Sequence, residues 1–249
     1  MAWRDIDRQR KIYERKYTAF FQRSLKLQIA PVIEELGRRK PEDITVHLDP
    51  WPIQKVFGRL YPEAGTGFAR STYRSLTGKS RKDDLTSVWE QEMISFMNMY
   101  AGDRIVSITG SSREIAIRIL RELAETQIIP EGLSIEQSSK LLQKAFRESY
   151  IKTTMARARV ITQTEVLTAS NKGSHTGAKE AGATQKIWQT SGIASPDGNN
   201  RHVSYPGLHG QVRAIDEQYD VGGYPADYPG DPTLPAGEVV YCKCAEIYK

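Results

Sequence analysis

The run TTMARARVITQTEVLTASNKGSHTGAKEAG, residues 153–182, with TQKIWQTSG, residues 184–192, beyond it, marks the point where the chain changes architecture. The first stretch is free of proline and dominated by small and polar side chains, which suits a helix that packs closely on its neighbours. Gly182 then stops it, as glycine does past a helix C-terminus. The second stretch alternates in the manner of a strand. Everything upstream reads as helical, and everything downstream as a loop-rich module.

Upstream, Tyr13, Tyr17, Phe21, Leu25, Ile29, Ile33 and Leu36 recur at three- and four-residue steps. That spacing predicts one long amphipathic helix from Asp5 to Leu36, kinked by Pro31 and closed at Gly37. Its aromatic stripe suits either a partner groove or ordinary packing. The segment EDITVHLDPWP reads as a turn or short strand, Pro52 to Leu76 as a helix carrying Gly65 and Gly67, and TGKSRKDD as a polar linker. From Leu85 a helix runs to about Tyr100 and breaks at AGD. Ser111 with Glu114 has capping-box spacing and predicts a fresh start, with Ile115, Ile119 and Leu123 beneath it. Ser134 and Gln137 repeat the device ahead of Leu141, Leu142, Ala145 and Phe146, and a further helix is expected from about Thr153 to Ala181.

After Gly182 the composition shifts to Pro, Gly, Asp and aromatic residues, giving a module of loops and a few short strands. The expected fold class is mainly α, with a small irregular α+β C-terminal module. Its divisions are an N-terminal helical arm (1–80), a helical body (81–182) and the module (183–249), the last two forming one domain.

The chain has 249 residues, of which 39% are hydrophobic and 26% charged, with a net charge of +5. Such a thin basic excess allows weak, salt-dependent contact with DNA, but not a strongly binding basic arm. Two cysteines make no disulfide framework, so a reducing compartment is expected. No apolar run of membrane-spanning length exists, and the charged N-terminus MAWRDIDRQRKIYERK is unlike a secretory signal, which predicts a soluble protein made in a cytoplasm. Phosphate loops, dinucleotide fingerprints, nucleophile elbows and zinc-protease helices are missing from the sequence.

Chemistry concentrates in the tail. Cys242 and Cys244 are one residue apart, His202 and His209 lie upstream, and Asp231 falls between the pairs. Thiolates and imidazoles together suit zinc, although neither spacing matches the usual zinc ribbons. The alternative is a packed corner without cofactor. On an extended last strand Val240, Cys242 and Cys244 share one face, with Tyr241 and Lys243 opposite. Arg157, Arg159, Thr164 and Glu165 sit on the preceding helix; helix statistics favour a solvated Glu165, and a buried carboxylate that holds a tail loop is the other reading.

Taken in order, Thr164 and Glu165, Trp188, Asp197, Arg201, His202, Leu208, Gly210, Gln211, Pro229 to Pro232, Glu238, Cys242, Lys243 and Cys244 resemble the Mu F-like phage head morphogenesis proteins, minor capsid proteins of tailed phages. The resemblance spans roughly Leu85 to the end. The family's characteristic histidine falls nearer Tyr205 than His202.

The resemblance implies a non-enzymatic component of the virion that associates with the portal protein and the capsid interior or scaffold. There it contributes to head assembly and to DNA packaging or ejection. No membrane anchor, catalytic residue or cofactor is expected, with zinc in the tail as the alternative. Relatives with toxin domains carry them beyond this module, and none is expected here with five residues after Cys244. The rival expectation is a metal-dependent phage hydrolase or nuclease that uses His202, Cys242 and Cys244.

Overall fold

The computed structural model describes residues 2–79, 83–126, 133–192 and 201–249. Helices come first: α1 (Trp3–Gln28), α2 (Ala30–Leu36), α3 (Trp51–Thr77), α4 (Asp83–Thr126) and α5 (Ile135–Glu180). The C-terminal module follows as β1 (Gln185–Gln189), α6 (Arg201–Ser204), β2 (Val212–Ala214), β3 (Tyr219–Val221), β4 (Tyr224–Ala226), α7 (Ala236–Val239) and β5 (Ala245–Tyr248). The chain is thus mainly helical, with a long N-terminal helix and a small module of short antiparallel strands. Among the described residues no helix is long and apolar enough to cross a membrane.

Several expected boundaries move. The N-terminal helix ends at Gln28 and restarts after Ile29, because Pro31 occupies the first turn of α2, where its missing N–H needs no intrahelical partner. The segment after Gly37 forms a single 3₁₀ turn, Pro41–Asp43, and no strand. Helix α4 runs unbroken through AGD, and Ser111 is not a cap: its Oγ donates back to the Ser107 carbonyl at 2.9 Å, and Ser112 does the same to Ile108 at 2.8 Å. Helix α5 is likewise continuous through Thr153. The second box is real: Ser134 N–H donates to Gln137 Oε1 at 2.9 Å, and Gln137 N–H to Ser134 Oγ at 3.2 Å. Gly182 ends α5 at a φ of 79°, a left-handed stop.

The chain forms two compact units, interleaved along the sequence. One comprises Thr18–Val56 and Ala101–Arg159; the other comprises Met1–Tyr17, Phe57–Tyr100 and Val160–Lys249. In the first, Ile29, Val32, Leu36, Val46, Ile119, Leu123, Phe146 and Tyr150 make a continuous apolar interior. Arg157 borders it, donating to Ser112 Oγ and to the Ile108 carbonyl, both at 2.7 Å. The N-terminal stripe is largely core: Tyr17, Phe21, Leu25, Ile29 and Leu36 are buried within the chain, while Tyr13 and Ile33 are half-buried.

In the second unit α3 and α5 approach backbone to backbone. A Cβ added at Gly173 would fall on the Gly65 backbone, and one at Gly177 on that of Ala69. The glycines and small residues of α5 therefore serve close packing, as the sequence predicts, and they bring its polar side chains within reach of the module. That module has an antiparallel sheet of order β2-β1-β5 and a β3-β4 hairpin. Gly222 and Gly223, both at positive φ, supply the two-residue turn between Val221 and Tyr224.

Candidate functional site

The module is fastened to α5 by polar hooks. Asn171 Nδ2 donates to the Pro229 carbonyl at 2.6 Å and to the Cys244 carbonyl at 3.2 Å. Thr168 Oγ1 donates to the Gly230 carbonyl at 2.9 Å. Arg10, buried on α1, completes the set: Nε donates to Ser170 Oγ at 2.7 Å, Nη2 to Asn171 Oδ1 at 2.6 Å and Nη1 to the Cys244 carbonyl at 2.9 Å. Burial lowers the Arg10 pKa, opposed by the negative potential of Cys242 and Cys244. Asp231 folds the intervening loop: Oδ2 accepts from Asp227 N–H at 2.8 Å, and Oδ1 from Thr233 N–H at 2.9 Å.

At the end of this loop the cysteines meet His202. Its Nδ1 lies 3.3 Å from Cys242 Sγ and 3.4 Å from Cys244 Sγ. Nε2, on the opposite edge, faces Glu238 Oε2 at 3.1 Å, while Tyr205 donates to Glu238 Oε1 at 2.9 Å. Trp188 stands edge-on to the imidazole with centroids 5.6 Å apart. All three donor residues are buried, at 3% exposure for His202, 7% for Cys242 and 0% for Cys244. Both cysteines are free thiols. Among the described residues these three form the one cluster of ligand atoms able to hold a metal ion, all within 4.8 Å of one another.

The electrostatics are those of a coupled buried set. The hydrogen bond from Cys244 pulls the Cys242 thiol well below its ordinary value, against burial and with help from His202. Burial, then the neighbouring Cys242, pushes Cys244 up. Burial disfavours a charged His202, yet Cys242 and Glu238 together raise its pKa.

The predicted strand geometry of the cysteines is not what forms. β5 begins at Ala245, after both of them, and Tyr241 takes a φ of 60°. That left-handed residue breaks the alternation, so Val240 is 37% exposed and does not join an apolar row with the thiols. The sulfurs instead turn toward the imidazole. A four-ligand set with His209 does not form either: Nδ1 of His209 is engaged with Thr190 Oγ1 at 2.9 Å.

Glu165 is buried rather than solvated, and accepts a hydrogen bond from Tyr61 of α3 at 2.7 Å. Thr164 beside it is buried with its hydroxyl unbonded. Trp188 is fully buried on β1, packed against Tyr219 as well as His202. Gly210 turns the chain at a φ of 77° and donates its N–H to the Trp188 carbonyl at 2.8 Å. Arg201 opens α6, its side chain outside the described residues, as is Asp197 altogether. Sequence reasoning missed Arg10 and Asn171, which carry no motif; their only signal is a charged or amide residue on a helix face that periodicity assigns to the interior.

Compared with known proteins, the chain matches no family model, no curated protein and no solved structure.

Proposed function

We propose that the protein is a minor head protein of a tailed phage, acting as a structural component at the portal vertex or capsid interior during head assembly and DNA packaging or ejection. One observation supports this reading above others. The residues that resemble the Mu F-like pattern, scattered from Thr164 to Cys244, include a set that interlocks: Trp188, His202, Leu208, Cys242 and Cys244 are buried in the module, and Thr168 and Asn171 beside the Thr-Glu pair hold Pro229 and Gly230. A motif whose members build one small fold is what a shared structural module requires.

The rival, a metal-dependent hydrolase or nuclease, needs a coordination position open to substrate. Donors with at most 7% exposure favour a structural role for any ion held there, zinc included. DNA contact in this reading is weak and sequence-independent, following the +5 net charge.

Co-expression with a tailed-phage portal protein from the same genome, followed by size-exclusion chromatography, tests the proposal; co-elution is expected, and separate elution, or a genome that encodes no portal protein, contradicts it. Incubation with plasmid and a divalent metal tests the rival, for which cleavage abolished by His202→Ala would replace our reading.

A further inference from the structure

We propose that His202 Nδ1, Cys242 Sγ and Cys244 Sγ bind a structural zinc ion that closes the C-terminal module. The inference stands on the geometry of the corner and does not depend on the phage reading.

One imidazole lone pair accepts from a single S–H, so hydrogen bonding alone does not bring two thiols to the same nitrogen. Here both sulfurs face the same imidazole nitrogen, at 3.3 and 3.4 Å. A tetrahedral zinc with Zn–S of about 2.3 Å and Zn–N of about 2.0 Å places sulfur and nitrogen ligands about 3.5 Å apart. The observed edges fall close to that figure, and the three atoms lie within 4.8 Å of one another. An ion fits between them with small adjustments of the side chains, and with three protein donors a buried water completes its tetrahedron.

The surroundings suit the ion as well. Glu238 faces Nε2 at 3.1 Å and Tyr205 holds that carboxylate at 2.9 Å. A carboxylate there keeps the proton on Nε2, which turns the Nδ1 lone pair toward the sulfurs; this is the usual support of a histidine ligand. The backbone N–H of Cys244 points at Cys242 Sγ at 3.4 Å, a donor for a thiolate. Charge closes too: two thiolates balance one Zn²⁺, and the Arg10 guanidinium on the Cys244 carbonyl offsets Glu238. Two sulfurs and an imidazole form a soft donor set, which selects zinc over magnesium or calcium. The ion would tie α6 (His202) to the chain just before β5, a link between residues 40 and 42 positions apart.

The full-length chain, expressed with zinc in the medium and purified without chelator, tests this by elemental analysis. We expect zinc equimolar with protein, and a melting temperature about 10 °C lower after exhaustive chelation, restored by adding zinc back. Cobalt substituted for zinc should give an intense thiolate-to-metal absorption, lost in Cys242→Ser and Cys244→Ser. If those variants fail to fold, Glu238→Gln keeps the packing and should weaken zinc affinity about 10- to 100-fold in competition with a chromogenic chelator. A wild-type protein without equimolar zinc whose melt ignores chelator overturns the proposal in favour of packed thiols. Equimolar binding of a different metal overturns the zinc assignment.

Discussion

In the unit made of Thr18–Val56 and Ala101–Arg159, the interior is a stack of Ile, Val, Leu, Phe and Tyr drawn from α2, α4 and α5. In the other unit, the interior around the C-terminal module contains Arg10, Asn171, Asp231, His202, Glu238 and two thiols, most of them paired. The helical interior gains its stability from apolar area removed from water, which is non-directional and tolerant of small shifts. The module has few residues per strand, and its apolar cluster around Trp188, Leu208, Tyr219 and Val221 is ringed by buried polar groups, so directional bonds hold its loops. Removing one partner of such a bond strands another buried polar group, which makes the polar interior brittle in a way that the apolar one is not.

The largest effect is expected where apolar volume is concentrated. Phe146→Ala should destabilise the protein by about 3–5 kcal/mol, read from urea unfolding, because it removes a fully buried ring and leaves a cavity. A loss below about 1 kcal/mol would mean that the helical interior is not packed as described.

Next, Arg10→Met should cost about 2–3 kcal/mol although its volume is nearly kept, because Asn171 Oδ1 loses its donor and the Cys244 carbonyl one of two. Combining it with Asn171→Leu sharpens the contrast. The pair should couple by about 1 kcal/mol or more in a double-mutant cycle, since both serve one network, whereas Phe146→Ala and Arg10→Met should add. Additivity within the first pair would dissolve the distinction between the two interiors.

What the sequence revealed divides along the same line. Apolar period located the helices and much of the helical interior, because a buried stripe must repeat with the helix. Their breaks were harder to read. Ser111 and Ser134 carry equivalent capping spacing, yet only Ser134 caps. Pro130 stands shortly before Ser134 in sequence, while Ser111 has only Gly110, whose cost of about 1 kcal/mol burial outweighs. In the module, a strand-like reading of the cysteines failed at Tyr241, whose positive φ no local pattern announces. The meeting of His202 with Cys242 and Cys244, and of Arg10 with a carbonyl 234 residues away, depends on tertiary contacts that periodicity does not encode. Ser134→Ala should therefore cost about 1 kcal/mol, as a true cap does, while Ser111→Ala should change stability by less than about 0.5 kcal/mol.

The smallest effect separates the units by pH. Glu92 on α4 accepts from Lys172 at 2.9 Å and from Thr176 at 2.8 Å, both on α5. Burial pushes its pKa up, but the hydrogen bonds of Lys172 and Thr176, with the charges of Lys172 and His175, bring it below the ordinary 4.5. A carboxyl lowered on folding binds fewer protons folded than unfolded between the two values, so its contribution is complete above about pH 4.5 and disappears as pH falls through the folded value. With the carboxylate 41% exposed, solvent screening holds that contribution below about 1 kcal/mol. Glu92→Gln should lower stability slightly at neutral pH, and the two stability curves should converge in acid. Arg157, the cation bordering the helical interior, is bonded to a hydroxyl and a carbonyl, neither of which takes a proton in this range. Hydrogen exchange at pH 4 should therefore accelerate around α4 residues 89–96 and α5 residues 172–176 in the wild type, and leave the amides near Phe146 unchanged. Equal acceleration in both places would show that the acid-labile bonds are not confined to the polar interior.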